Sequence, residues 1–461
     1  MEHFQKVLRQ PNFFRLWIGQ IISSIGDRFY QIALLTLVLG LNAGTQIGKE
    51  GARILFVGMI PGLVFAPLLG LAVDRFNRKA VLVFADLSRV VFALSLLYIW
   101  GFRHDLALVY VVVFFMGGMN SLFIPARQAA LPQIVSEGDL ITANALISLV
   151  GVIASLVGAI GATTVSSIFG ANLSFTLTAV GFLCSAFFLL RVDASLQPEA
   201  RSAARGFTAT WREIAGGWEY VRKEIQTQWV IILNTLFAFV SGFFAISVLE
   251  FTVRSLDTSV LKEVIAGIAV ILSHFAPKPP VIDVSVIALV VLMGALGVGM
   301  AMGIFSCGPA RRWTRSTGLP FASFFLVGVI ILIFSRITTY LPALAICAIL
   351  GWVSAVFTIS IDARLQTEVP DACRGRVFAL RNFCTSVAFL VALAFHLSGD
   401  LLRILGAGKL IEALGAGMIL SGLVLGWLNR RSLGTFWGEG RVIGQRTEPI
   451  ASASTVPGGT S

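Results

Sequence analysis

The sequence contains few charged residues for its length. Of 461 residues, 35 are Lys or Arg and 24 are Asp or Glu, or 13% together, whereas 56% are apolar. Soluble domains carry about twice that share of charge. So little charge cannot cover the surface of a soluble protein that has this much apolar side chain. The composition therefore excludes an ordinary water-soluble globule and favours a protein embedded in lipid.

Residues that carry chemistry are scarce as well. The chain has four histidines and five cysteines, and no CxxC spacing occurs, so neither a disulfide framework nor a metal site is predicted. HExxH and nucleophile-elbow motifs are absent. The GAGK stretch at 406–409 lacks the spacing and the Ser or Thr of a phosphate-binding loop. The sequence thus predicts no enzyme, no ATP-driven pump and no cofactor.

The net charge of +11 does not indicate a nucleic-acid partner. Basic residues form short clusters between apolar runs instead of one basic face. The runs themselves are continuous, whereas the strands of a membrane barrel alternate polar and apolar residues. Long apolar runs that contain 45 glycines and 36 phenylalanines are typical of an all-α polytopic membrane protein.

Counting apolar runs of about 20 residues, the length that crosses a bilayer, predicts twelve transmembrane helices. The predicted spans are 13–41, 51–73, 80–101, 106–125, 141–165, 171–190, 228–252, 283–306, 318–335, 341–361, 378–398 and 411–428. The stretch 259–273 is apolar but shorter and contains Lys262 and Glu263, which favours an extra interfacial helix. An uncleaved first span is expected, because no small-residue cleavage site follows it.

Orientation follows from the bias of Lys and Arg toward cytoplasmic loops. With both termini in the cytoplasm, 23 of the 35 basic residues lie inside, nine lie outside and three lie within spans. The prediction is a multi-pass, monomeric protein of the cell inner membrane. A single long polar segment divides the spans six and six. The expected units are an N-terminal bundle (1–191), a cytoplasmic linker (192–227), a C-terminal bundle (228–430, with an insert at 254–280) and a disordered cytoplasmic tail (431–461).

The two bundles show signs of an internal repeat. Arg75 and Arg78 after span 2 correspond to Arg312 and Arg315 after span 8, and Arg127 after span 4 corresponds to Arg364 after span 10. All of these pairs are separated by 237 residues. A parallel repeat of six plus six helices is the architecture of transporters whose halves rock about a midplane site.

Four motifs resemble one known family. The loop GLAVDRFNRK at 70–79 fits the G-x-x-x-D-R-x-x-R-K/R pattern between spans 2 and 3 that marks the major facilitator superfamily. Three further stretches resemble its bacterial branch of macrolide-efflux proteins and the enterobactin exporter. They are FRLWIGQIISSIGD at 14–27, PARQAALP at 125–132 with the AN pair at 143–144, and RGRV at 374–377. The resemblance implies the major facilitator fold, alternating access and efflux driven by proton exchange. The chain departs from the branch at Arg28 and in the insert.

Span 1 carries the residues that we expect to couple protons to transport. Gln20, Ser24, Asp27 and Gln31 share one helical face. An ionised carboxylate near the bilayer midplane costs a few kcal/mol and has to face a cavity or a partner. Asp27 is therefore the candidate proton carrier, and a static ion pair is the alternative.

Two further residues complete the predicted cavity site. Arg28 is the nearest counter-charge to Asp27, but adjacent helical residues diverge by about 100°, so its partner is expected on another span or in an anionic substrate. Asn234 in span 7 is a candidate hydrogen-bonding group, although a lone polar contact between helices is commoner.

A cytoplasmic gate is predicted around the loop after span 2. The loop is expected to latch the two halves together, with Asp74 bound to the other half and the basic residues on headgroups or carboxylates. Asp86 and Arg89 share a face of span 3; they are expected either to join Arg127 beneath this latch or to form a structural salt bridge. The predicted gate comprises Gly70, Asp74, Arg75, Arg78, Lys79, Asp86, Arg89 and Arg127.

Together these features predict a secondary transporter that exports an amphipathic, drug- or siderophore-like solute by proton antiport. Its expected partners are a small-molecule substrate, protons and the lipid bilayer. One alternative is a lysophospholipid flippase or importer of the same fold, in which Arg28 meets a phosphate. Another is a membrane scaffold or sensor that transports nothing.

Overall fold

The computed structural model describes residues 2–41, 47–65, 69, 72–73, 75–100, 105–136, 139–193, 196, 207–273, 284–307, 318–397 and 404–428. Within these ranges the chain is helical, and its only bridge between extended residues joins Asp257 and Thr339. The predicted all-α fold class is confirmed.

Fifteen α-helices are numbered here in chain order. They are α1 (Glu2–Leu8), α2 (Pro11–Leu41), α3 (Ile47–Val64), α4 (Arg78–Tyr98), α5 (Leu106–Ile134), α6 (Leu140–Ile153), α7 (Ala159–Leu190), α8 (Phe207–Lys223), α9 (Ile225–Arg254), α10 (Ser259–Ser273), α11 (Val284–Cys307), α12 (Leu319–Phe334), α13 (Tyr340–Glu368), α14 (Asp371–Ala394) and α15 (Ala407–Leu428).

Eight of the described helices are long and apolar enough to cross a membrane, and shorter apolar helices lie at Thr142–Gly151 and Leu319–Phe334. The other two predicted spans fall on α2 and α3, which contain more charge. Asp27 and Arg28 lie inside α2, and Lys49, Glu50 and Arg53 lie in the first turns of α3. The described helices thus account for all twelve predicted spans, and the protein is a multi-pass membrane protein.

Span 5 contains a π-helical turn, and a glycine with positive φ lies between spans 5 and 6. Between α6 and α7 the chain forms a π-helical turn at Ala154–Gly158, a local widening that is common at functional sites. Within α7 the helix breaks at Gly170, where φ is 80°. Only glycine adopts this conformation without strain, so Gly170 lets the chain reverse between the two spans.

The helices pack as two groups. In the first half α2 packs along α7, and α4 packs against α5 and α7. In the second half α11 packs along α13, α12 packs against α13 and α15, and α9 packs against α14. Contacts between the halves run from α3 to α9 and α14, and from α6, the π-helical turn and α7 to α11.

The two ends of the bundle differ in how the halves meet. One end of the bundle is the end where α2 stops and α3 begins, and it is named the sealed end here. The hydrophobic core of the second half there includes the first-half residues Ile32, Ala52 and Ala162. A Cβ on Gly51 there would lie 3.0 Å from the Leu249 side chain of α9. At the opposite end, the divided end, a separate cluster from Val7 to Leu196 contains first-half residues only. Among the described residues, apolar packing between the halves is therefore concentrated at the sealed end.

Glycines bring equivalent helices into backbone contact in both halves. A Cβ on Gly117 of α5 would lie 1.9 Å from the carbonyl oxygen of Gly58 on α3, and one on Gly351 of α13 would lie 2.0 Å from that of Leu296 on α11. Gly117 and Gly351 occupy the same position from the start of their helices. Small residues allow such close crossings in membranes, so both halves use a glycine to bring a pair of helices into backbone contact.

The polar linker is more ordered than the sequence indicates. Within 192–227 lies the 17-residue helix α8, which packs on α14 so closely that a Cβ on Gly217 would lie 2.4 Å from the carbonyl oxygen of Arg376. The amphipathic pattern of α8 provides the apolar face for this contact. The insert contains the expected helix, α10, whereas the tail at 431–461 lies outside the described residues.

Candidate functional site

The polar face predicted on span 1 is present on α2. Gln20 is buried, Ser24 and Asp27 are half-buried and Gln31 is exposed, and Nε2 of Gln20 donates to Oγ of Ser24 over 3.2 Å. Neighbouring faces of α2 are occupied. Gly19 and Gly26 pack against α7, and Ile25 packs against the π-helical turn at Gly158. The polar face therefore lies beside the faces of α2 that pack on α7 and on the π-helical turn.

Asp27 lies in the middle of the 31-residue helix α2. Its Oδ1 atom is buried and accepts no hydrogen bond from the described residues. The carboxylate interacts electrostatically with Arg89 of α4 and with its neighbour Arg28. A buried acceptor without a donor is costly, so this position suits a protonated carboxyl group or a bound ligand that donates a hydrogen bond.

A fully buried ion pair lies beside Asp27. Asp86 and Arg89 are spaced one helical turn apart on α4, and Nη1 of Arg89 donates to Oδ1 of Asp86 over 3.0 Å. The side chains are 0% and 1% exposed, respectively. Oγ of Ser185 on α7 donates to the other carboxylate oxygen over 2.6 Å, and Nη1 of Arg89 also reaches Oγ of Ser23 on α2 at 3.5 Å. The pair thus connects α2, α4 and α7.

The guanidinium of Arg89 is enclosed by aromatic rings and a carbonyl group. Its central carbon lies 4.5 Å from the ring centre of Phe123 on α5 and 5.3 Å from that of Phe182 on α7. Nη2 donates to the carbonyl oxygen of Met119 over 3.3 Å, whereas Nε has no partner among the described residues. Cation–π contacts are strong at desolvated sites, so this cage holds Arg89 in the interior.

These contacts place Asp86 and Arg89 with Asp27. The prediction grouped them with Arg127 beneath a cytoplasmic latch, and Arg127 of α5 does interact electrostatically with Arg89. Asp27 and Asp86 also interact with each other. Asp86, Arg89, Ser23 and Ser185 form one hydrogen-bonded polar cluster inside the first half, and Asp27 interacts with its two charged members electrostatically.

Arg28 does not turn toward the core of the first half. Its Nη1 atom donates to Oε1 of Gln31 over 2.7 Å. Its side chain crosses the π-helical turn, where a Cβ on Gly158 would lie 3.1 Å from Cβ and Cγ of Arg28. The absence of a side chain at Gly158 therefore provides the space for Arg28 beside the polar face of α2.

The described gate residues bind within their own half. Nη1 of Arg78 donates to the carbonyl oxygen of Ala129 over 2.9 Å, and Nζ of Lys79 donates to that of Val192 over 2.7 Å. The first acceptor lies on α5 and the second at the start of the linker, and contacts of these basic residues with headgroups or carboxylates stay a prediction. Arg75 is exposed. Gly70 and Asp74 lie outside the described residues, so the contact expected from Asp74 to the other half stays a prediction.

Asn234 takes part in contact between helices. It is buried in α9, and its Nδ2 atom donates to Oγ1 of Thr385 on α14 over 3.0 Å. A lone polar residue in a span more often makes a contact between helices than a contact with a substrate. The contact of Asn234 is of this commoner kind, which the sequence analysis left open.

Sequence reasoning missed two charged clusters. At the sealed end Glu50 of α3 is buried and accepts hydrogen bonds from Arg53, over 2.7 Å, and from the hydroxyl of Tyr110 on α5. In the second half Arg381 of α14 pairs with Asp362 of α13. The sequence feature that could have indicated both clusters is a carboxylate near the end of an apolar run. Spacing alone does not reveal their partners, because each partner lies on another helix or turn.

Comparison with known proteins identifies the family. A sequence model of the Major Facilitator Superfamily matches residues 16–393, which include the polar face of α2 and the ion pair on α4. The chain belongs to the major facilitator superfamily. The predicted resemblance is confirmed. As a member of this superfamily the protein is a transporter of small molecules and not an enzyme.

Several curated relatives are similar over most of their length. An uncharacterised transporter of the superfamily, YfiS from Bacillus subtilis (strain 168), is 24% identical over 84% of this chain and 86% of its own. Macrolide efflux protein A of Streptococcus pyogenes is 24% identical over 83% of this chain and 87% of its own. The putative bacilysin exporter BacE of Bacillus subtilis is 23% identical over the same shares.

Solved structures confirm the fold. The nucleoside transporter NupG superposes with a TM-score of 0.65 at 12% identity and covers 91% of this chain and 99% of its own. The human organic anion transporter MFSD10 gives a TM-score of 0.60 at 13% identity over 90% and 99%. Sequence identities this low support a shared architecture and do not indicate the substrate.

Proposed function

We propose that this transporter exports an amphipathic organic solute from the cytoplasm in exchange for protons, and that Asp27 carries the proton. The observation that carries the proposal is the buried Oδ1 atom of Asp27, which lies near the middle of α2 on a polar face and lacks a hydrogen-bond donor among the described residues. Intramembrane carboxylates at such positions are typical of proton relays.

The position of α2 supports a role in transport. Its polar face adjoins the faces that contact the second half, because Ile32 and Phe29 belong to or pack on the second-half core. Gln20, Ser24, Asp27, Arg28 and Gln31 therefore border the space between the halves. A solute in that space is within reach of hydrogen-bonding groups and of one positive and one negative charge.

The packing of the two ends supports alternating access. With both termini in the cytoplasm, the sealed end faces outward and the divided end faces the cytoplasm. In this conformation the halves meet at residues such as Ala52 and Leu249, while the described gate residues Arg78 and Lys79 bind their own half. Such an inward-facing arrangement is the one in which an exporter loads its substrate.

The direction of transport rests on the relatives. Two of the similar proteins are named for export, one of macrolides and one, as a putative exporter, of bacilysin. Both are bacterial, which supports the cell inner membrane as the location. Macrolides are large amphipathic solutes, and binding sites for such solutes are mostly apolar with a few polar groups.

Proton flux in proteoliposomes tests this proposal. Purified protein is reconstituted with a pH-sensitive dye inside, and drugs, siderophores and lysophospholipids are added in turn. We expect at least one drug- or siderophore-like solute to drive proton movement by the wild type. Asp27→Asn, which cannot carry a proton, should reduce that flux to the level of empty liposomes, whereas Asp27→Glu should retain part of it.

The outcomes separate the proposal from its alternatives. Flux that is unchanged in Asp27→Asn would remove Asp27 from coupling. Movement of labelled lysophospholipid, without flux for any drug or siderophore, would indicate a lipid flippase. No movement of any solute, together with loss of a cellular interaction partner when 192–227 or 431–461 is deleted, would indicate a scaffold or sensor.

A further inference from the structure

A polar stripe runs along α13, the helix of span 10. Ser354, Thr358, Asp362 and Gln366 follow one another at intervals of four residues, so they share one side of the helix over about 18 Å. Thr358 and Gln366 are exposed, and Ser354 and Asp362 are partly exposed. The stripe is therefore accessible along about three turns of a membrane-spanning helix.

The stripe faces the space between the halves. Exposed polar groups within a span line a water-filled space, because lipid cannot satisfy them. The exposed apolar side chains of α13 lie elsewhere, since Ile349, which is 47% exposed, and Thr358 are nine residues apart and thus on opposite sides of the helix. Ile361 and Leu365, next to the stripe, are fully buried in the core of the second half. Of the two exposed sides of α13, the apolar one suits lipid and the polar one suits water and solute.

Asp362 and Arg381 form the charged centre of this wall. Nη1 of Arg381 on α14 donates to Oδ1 of Asp362. The Nε and Nη2 atoms donate to Oδ1 of Asn382 over 3.3 and 3.1 Å, and the central carbon of the guanidinium lies 4.9 Å from the ring centre of Phe378. The guanidinium thus has a partner on each of its three nitrogen atoms and an aromatic ring on one face.

The carboxylate is the more accessible partner of this pair. The side chain of Asp362 is 38% exposed and that of Arg381 is 17% exposed. Oδ1 of Asp362 accepts from Arg381, whereas Oδ2 accepts no hydrogen bond from the described residues. An ionised carboxylate has about four acceptor sites. A solute that reaches this wall therefore meets an open, negatively charged acceptor before it meets the cation.

We infer that Asp362 binds a protonated amine of the exported solute, so that the substrates are amphipathic organic cations. The inference rests on the function proposed above and adds the charge of the solute to it. An ammonium group donates charge-assisted hydrogen bonds to a carboxylate, whereas an anion would approach the exposed carboxylate before it reached the covered guanidinium. Thr358 and Gln366, one turn away on either side, can bind neutral polar groups of the same solute.

Binding of two dyes tests the inference. Rhodamine 6G and fluorescein share a xanthene ring system, but the first is a cation and the second is an anion at neutral pH. Fluorescence anisotropy gives the Kd of each dye for the purified full-length protein in detergent. We expect the wild type to bind rhodamine 6G about tenfold more tightly than fluorescein, since a hydrogen bond to a charged group is worth at least that factor.

Substitutions at the two partners of the pair should change the binding of rhodamine 6G in opposite directions. Asp362→Asn removes the charge of the acceptor and should weaken binding about tenfold. Arg381→Gln removes the competing cation and should make binding tighter. An ion pair that only holds α13 against α14 would give weaker binding in both variants. The sign of the effect of Arg381→Gln therefore separates a binding role from a structural one, even if Asp362→Asn fails to fold.

Glu412→Gln provides the matched control. It removes a carboxylate of similar exposure, 39%, from an ion pair with Arg336, and it changes the net charge of the protein as Asp362→Asn does. Both dyes should bind this variant as they bind the wild type. Asp362→Glu keeps the charge at the wall and should retain the preference for rhodamine 6G. Melting temperatures of all variants in the same detergent report on folding.

The results separate this inference from the proposed function. If the wild type does not prefer rhodamine 6G, or if Asp362→Asn keeps the preference, the cation site at Asp362 is wrong, and the flux measurement alone decides the proposed function. If the preference depends on Asp362 but no solute drives proton movement in proteoliposomes, the cation site stands and the proposed proton exchange fails.

Discussion

The two halves of the protein share an architecture but differ in what fills them. The first half encloses the pair Asp86 and Arg89 together with serines from α2 and α7. The second half is filled largely with phenylalanine rings, as in the contacts of Phe357 with Phe237 and Phe324. Its ion pairs are more exposed, as in Asp362 with Arg381 and Glu368 with Arg364. Among the described residues, the ion pair that is buried on both sides therefore lies in the first half.

The largest expected effect comes from breaking the buried pair. Arg89→Ala leaves Asp86 charged and enclosed, and removing one partner of a buried pair costs ~3–5 kcal/mol. Arg381→Ala in the second half removes a pair that solvent screens, so its cost should be about 1 kcal/mol or less. Melting temperatures of the two variants in the same detergent test this difference. Equal losses would mean that the halves do not differ in this respect.

A second comparison tests whether the close helix crossings at Gly117 and Gly351 are equally tight in the two halves. Gly117→Ala and Gly351→Ala each add a methyl group that, without movement of the helices, would lie 1.9 and 2.0 Å from a carbonyl oxygen, respectively. Overpacking of this kind costs ~1–3 kcal/mol. The losses should be similar in the two halves, because the helix crossings are equivalent.

The neighbouring Gly118 supplies the matched control for these substitutions. A Cβ there would lie 3.5 Å from Pro61, an ordinary contact distance, so Gly118→Ala should leave the melting temperature almost unchanged. A loss from Gly118→Ala as large as that from Gly117→Ala would show that the effect arises from helix composition and not from the close crossing.

A smaller effect is expected at Asn234, which makes a polar contact between two helices of the second half. Asn234→Ala removes the hydrogen bond to Thr385, and such bonds in membranes average about 0.6 kcal/mol. Its melting temperature should fall by much less than that of Arg89→Ala. Transport with an unchanged pH midpoint would agree with a packing role, whereas loss of transport without loss of stability would restore Asn234 to the substrate site.

The fold was predictable because membrane spans are encoded locally. Each span is a continuous apolar run, and its length and borders can be counted without knowledge of any partner. Periodicity also predicted the polar face of span 1, since Gln20, Ser24, Asp27 and Gln31 recur at helical spacing. These features depend on one helix at a time.

The partners within the site were not predictable in the same way. To predict that Arg89 lies beside Asp27, one would need to know how α4 is rotated about its axis and how deep it lies relative to α2. The spacing of Asp86 and Arg89 gives neither quantity. The same holds for Tyr110, which reaches Glu50 from another helix. The helix in the polar linker was missed because the amphipathic pattern of α8 becomes stable only when it packs on α14.

The smallest expected effect concerns how each half holds its peripheral helix. In the first half α1 is fastened by polar contacts, because Asp139 accepts hydrogen bonds from Ser136, Lys6 and Gln10. These contacts, those with Ser136 and Lys6 first, lower the pKa of Asp139 below its ordinary value of 3.8. In the second half α8 is held by the packing of Gly217 on α14. This contact involves no titratable group.

Acid should therefore loosen α1 and leave α8 in place. A lowered pKa in the folded state means that the stabilising contribution is complete above the ordinary value and disappears as the pH falls through the lowered one. The change should be small, since Lys6 is 65% exposed and screened pairs contribute little. Spin-label distances from α1 to α6 should broaden only below about pH 4, and those from α8 to α14 should stay narrow. Asp139→Asn, which cannot accept in the same way, should broaden the first distance at every pH. Equal broadening of both distances would show that acid loosens the whole protein and that charge does not specifically fasten α1.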